Sequence, residues 1–373
     1  MRARLYIAEE VCLQLLRSEL WSKPSDIPTG FSDWNTVVRI AKKQSVLGLV
    51  GNKILSIPDL EKDIHPELKA KIKSFVMSNL MMHQKLNYEI HKTKKSLDDN
   101  NIPFVLLKGQ GIARCYPNPH LRQCGDIDLY VGEANYEAAY DVFKNICTHL
   151  DDKGTIYKGK HFHAHIGKIE FDVHRFCGMY HLKSYNRKFQ EEAIKGLTGN
   201  VSPVIIQEVD VNVPSCEFNA YYIFNHLFNH FQISGIGLRH LCDLMMFLHS
   251  NYGKIDLLEL ERILNKMGIM YPWKVFGNVL VEALGMPSEE FPFYEKINGK
   301  KSERILRHIW DEGNFGFETD YYAHSSKKNY KWFIHSINYH LTRFIRLFIL
   351  MPKSSLRRLV NYLAFGFRYI KAN

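Results

Sequence analysis

The segment GDIDLYV, residues 125–131, constrains the fold more than any other feature of the chain. Asp126 and Asp128 alternate with apolar residues, so both carboxylates point to one face of a β-strand while the apolar side chains point to the other. Aspartate is uncommon in strands. Two carboxylates about 5 Å apart repel each other by roughly 3 kcal/mol at an effective dielectric constant of about 20. We therefore expect a positive charge between the two aspartates.

Helical and strand patterns divide the chain into three regions. Residues 1–100 have helical periodicity and end at the polar run DDNN. Residues 101–214 contain short strand patterns, among them PFVLLKG and the segment HFHAHIGKIEFDVHRF, which predicts two strands joined at Gly167-Lys168. Residues 215–373 return to helical periodicity. The sequence predicts an α+β fold, with a small mixed sheet as the core and helical regions on its N-terminal and C-terminal sides.

Composition and cysteine usage narrow the class of protein. Hydrophobic residues make up 46% of the chain and charged residues 24%, as is usual for globular proteins. The seven cysteines include no C-x-x-C pair, which argues against a disulfide framework or a zinc ribbon and favours reduced thiols in the cytoplasm. The first residues, MRARLYIAEEVC, lack the apolar stretch of a signal peptide. No run approaches the roughly 18 apolar residues of a membrane span.

A second strand pattern, IEFDVHR, repeats the alternation of polar and apolar residues. Glu170, Asp172 and His174 share one face of this strand. A carboxylate from it would join Asp126 and Asp128 around a divalent cation, and oxygen ligands of this kind suit Mg²⁺, with Mn²⁺ as the alternative. We favour Asp172 as the third ligand, with Glu170 as its alternative or its support. His174 either orients a substrate or caps the strand.

The segment LLKGQG precedes the aspartates and predicts a strand that runs into a glycine turn. Backbone N–H groups in such a turn can approach a phosphate closely. Lys108 and Arg122 supply positive charge nearby in sequence, although both could be ordinary surface charges. We expect Lys108, Gly109, Gln110 and Arg122 to bind the nucleotide. Together with the carboxylates, this arrangement predicts a metal-dependent phosphoryl or nucleotidyl transfer site.

The stretch LLKGQGIARCYPNPHLRQCGDIDLYV, followed by IEFDVHR, resembles the bacterial nucleotidyltransferases of the DNA polymerase β superfamily. The core of that family reads approximately as LLKG, a Tyr-Pro and an Arg, and then DIDLLV. Its later Asp-x-His strand is matched by Asp172-Val173-His174, and its helix with an Arg–Asp pair is matched by LRHLCDLMMFL. The sequence departs from the superfamily at Gln110, where Ser or Gly is usual, and in a longer spacing from Gly109 to Asp126.

The resemblance implies a Mg²⁺-dependent enzyme that moves a nucleoside monophosphate from a nucleoside triphosphate, such as ATP, to the hydroxyl of an acceptor that the sequence does not identify. Asp126 and Asp128 would bind the metal. Asp172 would be the third ligand and activate the acceptor hydroxyl, and the backbone of Gly109 would hold the phosphates. Without metal, the aspartate pair would be strained, so we expect Asp126→Asn or Asp128→Asn to stabilise the metal-free protein while abolishing nucleotide transfer.

Three other functions stay open at this point. The same metal geometry would serve a transferase that moves a phospho-headgroup from a CDP-linked donor. It would also serve a protein AMP-transferase. The third alternative is a non-catalytic, antitoxin-like binding module, against which the intact set of carboxylates argues.

Two further patterns have simpler interpretations. His161, His163 and His165 alternate on a predicted strand and suggest zinc, but no fourth ligand with suitable spacing is evident. We expect them to line the cleft as an exposed strand face. Arg239 and Asp243 are four residues apart on a predicted helix, where a local ion pair is the expected arrangement.

The net charge of +10 belongs to the end of the chain. Residues 327–373 contain ten Lys and Arg and no Asp or Glu, which leaves 39 basic and 39 acidic residues elsewhere. Apolar and basic residues alternate between Tyr330 and Leu350. We expect this basic tail to pack on the core with a solvated basic face. Contact with an anionic surface, such as the inner face of a membrane, or with RNA or DNA are the alternatives.

Overall fold

The structure is a computed structural model, which describes residues 2–58, 64–151, 159–314 and 341–360. It has an α+β fold, as predicted, in which a five-stranded sheet and a separate two-stranded sheet are combined with helices. None of the described helices is both long and apolar enough to cross a lipid bilayer.

Within the described ranges, four helices precede the sheet. Asp33 caps the second of them by accepting a hydrogen bond from the backbone N–H of Thr36, and a proline opens the fourth, where its missing N–H costs nothing. The bounds are α1 (Arg2–Trp21), α2 (Trp34–Lys43), α3 (Leu47–Ser56) and α4 (Pro66–Asp98).

The five-stranded sheet has the order β1-β2-β5-β4-β3. β2 pairs antiparallel with β1 and parallel with β5, and β4 and β5 form the predicted hairpin, where Gly167 adopts a φ of +61°. The short α5 (Gly109–Ala113) follows β1, and α6 (Gly132–Ile146) follows β2. The strands are β1 (Val105–Leu107), β2 (Ile127–Tyr130), β3 (His149–Leu150), β4 (His161–Ile166) and β5 (Ile169–His174).

The alternation of residues along β2 and β5 separates the core from the polar face. Ile127, Leu129 and Phe171 are buried in a hydrophobic cluster that also contains Phe143 of α6. The intervening residues, including Asp128 and Asp172, lie directly opposite each other in the parallel register. One face of the sheet therefore stabilises the fold by burying apolar area, and the other face presents carboxylates.

The helices after the sheet pack against the N-terminal helices in one continuous hydrophobic core. Trp21 of α1 donates to the carbonyl of Leu284, and Gln44 donates to that of Ile309. The division of the chain into independent units at residues 100 and 214 stays a prediction. The elements are α7 (Lys183–Ile194), β6 (Ser202–Ile206), β7 (Val209–Val213), α8 (Cys216–Ile233), α9 (Leu238–Ser250), α10 (Leu257–Lys266), α11 (Met270–Leu284) and α12 (Gly299–Glu312).

The described part of the basic tail is helical from 341 to 350 and from 352 to 360. Arg343 is buried there, and its guanidinium donates to the carbonyls of Phe231 and Gln232 and pairs with Glu312. Part of the tail thus packs on the core, as expected, although Ile345 is exposed. The rest of the basic tail, residues 327–340 and 361–373, lies outside the described residues.

Candidate active site

Asp128 and Asp172 form the centre of the site. They lie opposite each other on the parallel strands β2 and β5, and ligand atoms of Asp128, Asp172 and His174 all lie within 4.8 Å of one another. Asp126 immediately precedes β2, is exposed and lines the same cavity. It belongs to no such three-residue group within the described parts of the chain. The structure therefore brings Asp128 closest to Asp172, with Asp126 at the edge.

Lys108 supplies the positive charge that the sequence pattern requires. Its Nζ lies 3.0 Å from Asp128 Oδ1, and His174 donates to the same oxygen through Nε2 at 2.9 Å. Burial alone would raise the pKa of Asp128, but Lys108 and His174 hold it well below its usual range. The pKa of Lys108 is raised, because the attraction of Asp128 and Asp126 outweighs the effect of burial. The carboxylate of Asp128 is thus strongly favoured in its charged form.

The pKa of Asp172 is shifted in the opposite direction to that of Asp128. Burial and the neighbouring charge of Asp128 raise its pKa, although His163 donates to its Oδ1 through Nδ1 at 2.6 Å. Glu170, two residues earlier on the same strand, is exposed at the cavity edge, with its Oε1 3.6 Å from the same His163 nitrogen. The register places Asp172 rather than Glu170 opposite Asp128. Two facing carboxylates with different proton affinities suit separate roles.

The residues predicted to contact phosphate separate into two groups. Gly109 lines the cavity with a φ of +35°, and Lys108 lines it beside Asp128. The side chain of Gln110 is instead buried in a polar network with Asn87 and His83. Its amide donors are already used inside the protein, so a contact between Gln110 and a nucleotide stays a prediction that these hydrogen bonds do not support.

Arg122 also has a structural partner. It is buried, its Nε and Nη2 donate to the two oxygens of Asp243 at 2.7 and 2.8 Å, and it also lines the cavity. A contact between Arg122 and phosphate therefore stays a prediction. The local ion pair predicted between Arg239 and Asp243 is replaced by this contact, and Arg239 donates to the carbonyl of Gln123. The pair joins the segment between β1 and β2 to α9. It holds in place the loop that carries Asp126.

The histidines of β4 are divided between two positions. His165 lines the cavity, as expected. His161 and His163 form a chain toward Asp172, with 3.1 Å between their Nε2 atoms, and ligand atoms of these three residues lie within 4.8 Å of one another. Within the described ranges, this group offers a cation two imidazoles and one carboxylate and no fourth protein ligand. His163 therefore serves most directly to orient Asp172.

The carboxylates lie in a cavity of about 710 Å³, a volume within the usual range for small-molecule sites. The cavity is also lined by His226 and His230 of α8 and His240 of α9, none of which was predicted from sequence to belong to the site. Burial lowers the pKa of His230 to about 4, so this side chain is neutral at pH 7. In the segment NHLFNH, residues 225–230, His226 and His230 are four residues apart and therefore share one face of a helix. This spacing is the sequence pattern from which a shared position could have been predicted.

The donor set fits a hard divalent cation. Asp128 and Asp172 contribute carboxylate oxygens from adjacent strands, and a third carboxylate, Asp126, stands at the cavity edge. Oxygen ligands that converge from a sheet edge, with room left for phosphate and water, are the arrangement that Mg²⁺ prefers.

Comparison with known proteins agrees with this geometry. A family model described as an uncharacterised nucleotidyltransferase matches residues 31–273. None of the curated proteins matches the chain.

Solved structures with similarity to the chain include the crystal structure of ANT(2")-Ia in complex with adenylyl-2"-tobramycin. It is 14% identical, has a TM-score of 0.35, and the match covers 50% of this chain and 99% of that one. The solution structure of ANT(2'')-Ia is 15% identical, with a TM-score of 0.34 and coverage of 51% and 92%. An antigenic nucleotidyltransferase-like protein from Paracoccidioides brasiliensis is 14% identical, with a TM-score of 0.33 and coverage of 54% and 93%.

Proposed function

Because the chain belongs to the uncharacterised nucleotidyltransferase family, we propose that it transfers a nucleoside monophosphate from a nucleoside triphosphate to a hydroxyl group in a Mg²⁺-dependent reaction. The observation that supports this most strongly is the position of Asp128 opposite Asp172, on parallel strands that border the cavity of about 710 Å³. A phosphoryl-transfer site needs carboxylates that bind metal beside a space that accepts a triphosphate. The facing carboxylates and the cavity beside them support this proposal.

Asp128 and Asp172 would hold Mg²⁺, with Asp126 as a further oxygen ligand from the cavity edge. When bound, the metal would neutralise charge on the triphosphate and orient the α-phosphorus for attack. Asp128 suits this role because its carboxylate is kept ionised by Lys108 and His174. His174 fixes the orientation of Asp128 through a buried hydrogen bond, as a supporting residue of a metal ligand does.

Lys108 and Gly109 would bind the phosphates. The ammonium of Lys108 lies beside the carboxylates and carries a charge that can be shared with phosphate oxygens once a cation reaches Asp128. Gly109 opens α5 immediately after β1, and a Cβ added there would lie 3.5 Å from the carbonyl oxygen of Asp126. The backbone of this turn can therefore approach a phosphate without a side chain between them.

Asp172 would accept the proton of the acceptor hydroxyl. A bond forms between the acceptor oxygen and the α-phosphorus, the bond from that phosphorus to the bridging oxygen of pyrophosphate breaks, and pyrophosphate leaves with the electron pair. A base needs appreciable proton affinity, and the raised pKa of Asp172 moves it in the required direction. His163 orients its carboxylate.

Radiolabelled nucleotides test the proposed reaction. The protein is incubated with Mg²⁺, a pool of polar small molecules, and each triphosphate labelled at either the α- or the γ-phosphorus. We expect the α-label in a new product and the γ-label in pyrophosphate, with neither seen for Asp172→Asn. Glu170→Gln, an exposed change on the same strand, is the matched control and should keep activity. Transfer of the γ-label to product, or label on a protein band alone, would contradict small-molecule nucleotidyl transfer.

A further inference from the structure

A second cavity of about 480 Å³ adjoins the first and shares part of its wall. Both cavities are lined by Lys160, Tyr222 and two histidines of α8, His226 and His230. The second cavity is therefore next to the one that contains the carboxylates. An acceptor needs a site of this kind, because it must approach the α-phosphorus from the side opposite the leaving pyrophosphate.

We propose that this second cavity binds the acceptor, and that the acceptor is an anionic polyol, a hydroxylated small molecule that carries a phosphate or carboxylate group. The proposal rests on the proposed function, since it names the substrate class of the same site. Two independent features of the cavity wall support it, namely its charge and its hydrogen-bonding surface.

The wall is cationic. Lys160, Arg357 and Arg358 line the cavity, and no Asp or Glu is among its described lining residues. Arg357 donates to the carbonyls of Met267 and Gly268, which are uncharged, so its positive charge is not cancelled by these contacts. Such a wall attracts a phosphate or carboxylate and repels an ammonium group. The charge thus selects against polycationic acceptors such as amino sugars.

The remaining surface suits hydroxyl groups. Asn229 and Gln232 of α8 present side-chain amides, which can both donate to and accept from a hydroxyl. Tyr180 is held by donors from Asn225 and Asn229 at 2.8 and 2.9 Å, and its ring lies 4.7 Å from that of Tyr185. The aromatic rings and amides are therefore fixed before a ligand arrives, and ordering them upon binding costs little entropy.

Lys160, which lines both cavities, lies between the proposed acceptor site and the carboxylates. Lys160 is exposed there and interacts electrostatically with both Asp128 and Asp172. An anionic group near Lys160 would place neighbouring hydroxyls of the same molecule close to Asp172, the proposed proton acceptor. The neutral His230 beside it adds hydrogen-bonding capacity without adding charge at pH 7.

Calorimetry with matched ligands tests the acceptor class. The full chain is titrated with ribose and ribose 5-phosphate, with glucose and glucuronate, and with glucosamine and inorganic phosphate. Each titration is made with Mg²⁺ and an α,β-methylene triphosphate present to fill the larger cavity. We expect ribose 5-phosphate to bind at least about tenfold more tightly than ribose, and glucuronate at least about tenfold more tightly than glucose. Glucosamine and inorganic phosphate should bind more weakly than ribose 5-phosphate.

Variants separate this proposal from the proposed function. Lys160→Gln should reduce the preference for anions by about tenfold, whereas Glu170→Gln, an exposed change outside the second cavity, should keep it. Equal affinity for neutral and anionic partners, tighter binding of glucosamine, inorganic phosphate binding as well as ribose 5-phosphate, or an unchanged preference in Lys160→Gln would each overturn the acceptor class. Absence of nucleotide binding would instead refute the proposed function, and the same ligands are then titrated without nucleotide to test the acceptor class by itself.

Discussion

Asp128 and Asp172 face each other across two strands, yet neutralising them should change stability in opposite directions. Asp128 is paired with Lys108 at 3.0 Å, which corresponds to a gross attraction of about 5 kcal/mol at an effective dielectric constant of about 20. Removing one partner of a buried pair typically costs about 3–5 kcal/mol. Asp126 also attracts Lys108 and remains in place, so we expect Asp128→Asn to cost about 3 kcal/mol in the metal-free protein.

Asp172→Asn removes a charge that the fold disfavours. Burial and the carboxylate of Asp128, whose ligand atom lies within 4.8 Å, both oppose its ionisation. Part of that repulsion is already offset by His163, so we expect a gain of about 1 kcal/mol, or roughly 1–2 °C in Tm. This corrects the expectation from sequence that Asp128→Asn would be stabilising, because Lys108 already neutralises Asp128 without a metal.

Thermal unfolding in EDTA, followed from pH 7 down to about pH 3, measures both effects. The lowered pKa of Asp128 gives stability that is present above its unfolded-state pKa and is lost as the pH falls through the folded-state value. The cost of Asp128→Asn should therefore shrink in acid. The raised pKa of Asp172 means that the gain from Asp172→Asn should also vanish once the wild-type residue is protonated. Glu170→Gln is the control and should be nearly neutral. A loss of stability in Asp172→Asn equal to that in Asp128→Asn at pH 7 would refute this reasoning.

Three further predictions follow from buried contacts and from the glycine turn. Asp243→Asn should destabilise the protein by about 3 kcal/mol, measured by urea unfolding, because it leaves Arg122 buried without its counter-charge; a change below about 1 kcal/mol would contradict this account. Arg343→Gln should make the chain more sensitive to limited proteolysis near 341–360, since this arginine joins the tail to α8 and α12, whereas exposed Arg346→Gln should not. Gly109→Ala should weaken Mg²⁺-nucleotide binding by about tenfold in calorimetry, because a Cβ at this positive φ strains the turn; unchanged affinity would exclude this turn from phosphate binding.

The sheet could be predicted from sequence because its signals are local. Alternation along GDIDLYV and IEFDVHR fixes which side chains share a face, and the glycine at 167 marks the hairpin turn. The prediction that Asp128 and Asp172 act together required only that β2 and β5 be neighbouring strands. Their parallel register places the two residues opposite each other.

The partners of the remaining charges could not be predicted in this way. Arg122 and Asp243 are 121 residues apart, and the rule for neighbours on a helix assigned Asp243 to Arg239 instead. Gln110 occupies a position that faces phosphate in the resembling family, but His83 and Asn87 of α4 draw its side chain inward. The second cavity could not be predicted from sequence either, because segments that are distant in sequence form its wall. Each depends on tertiary packing.

Metal-dependent nucleotide binding tests the central claim most directly. We would titrate the four nucleoside triphosphates and CDP-choline by calorimetry into the wild type, Asp128→Asn, Asp172→Asn and Glu170→Gln, with Mg²⁺ and with EDTA. We predict that at least one triphosphate binds the wild type and Glu170→Gln with Mg²⁺, and that binding is lost in EDTA and in both aspartate variants. Preferred binding of CDP-choline would favour headgroup transfer. Binding that is unaffected by EDTA and by both variants, or no nucleotide binding at all, would contradict the account.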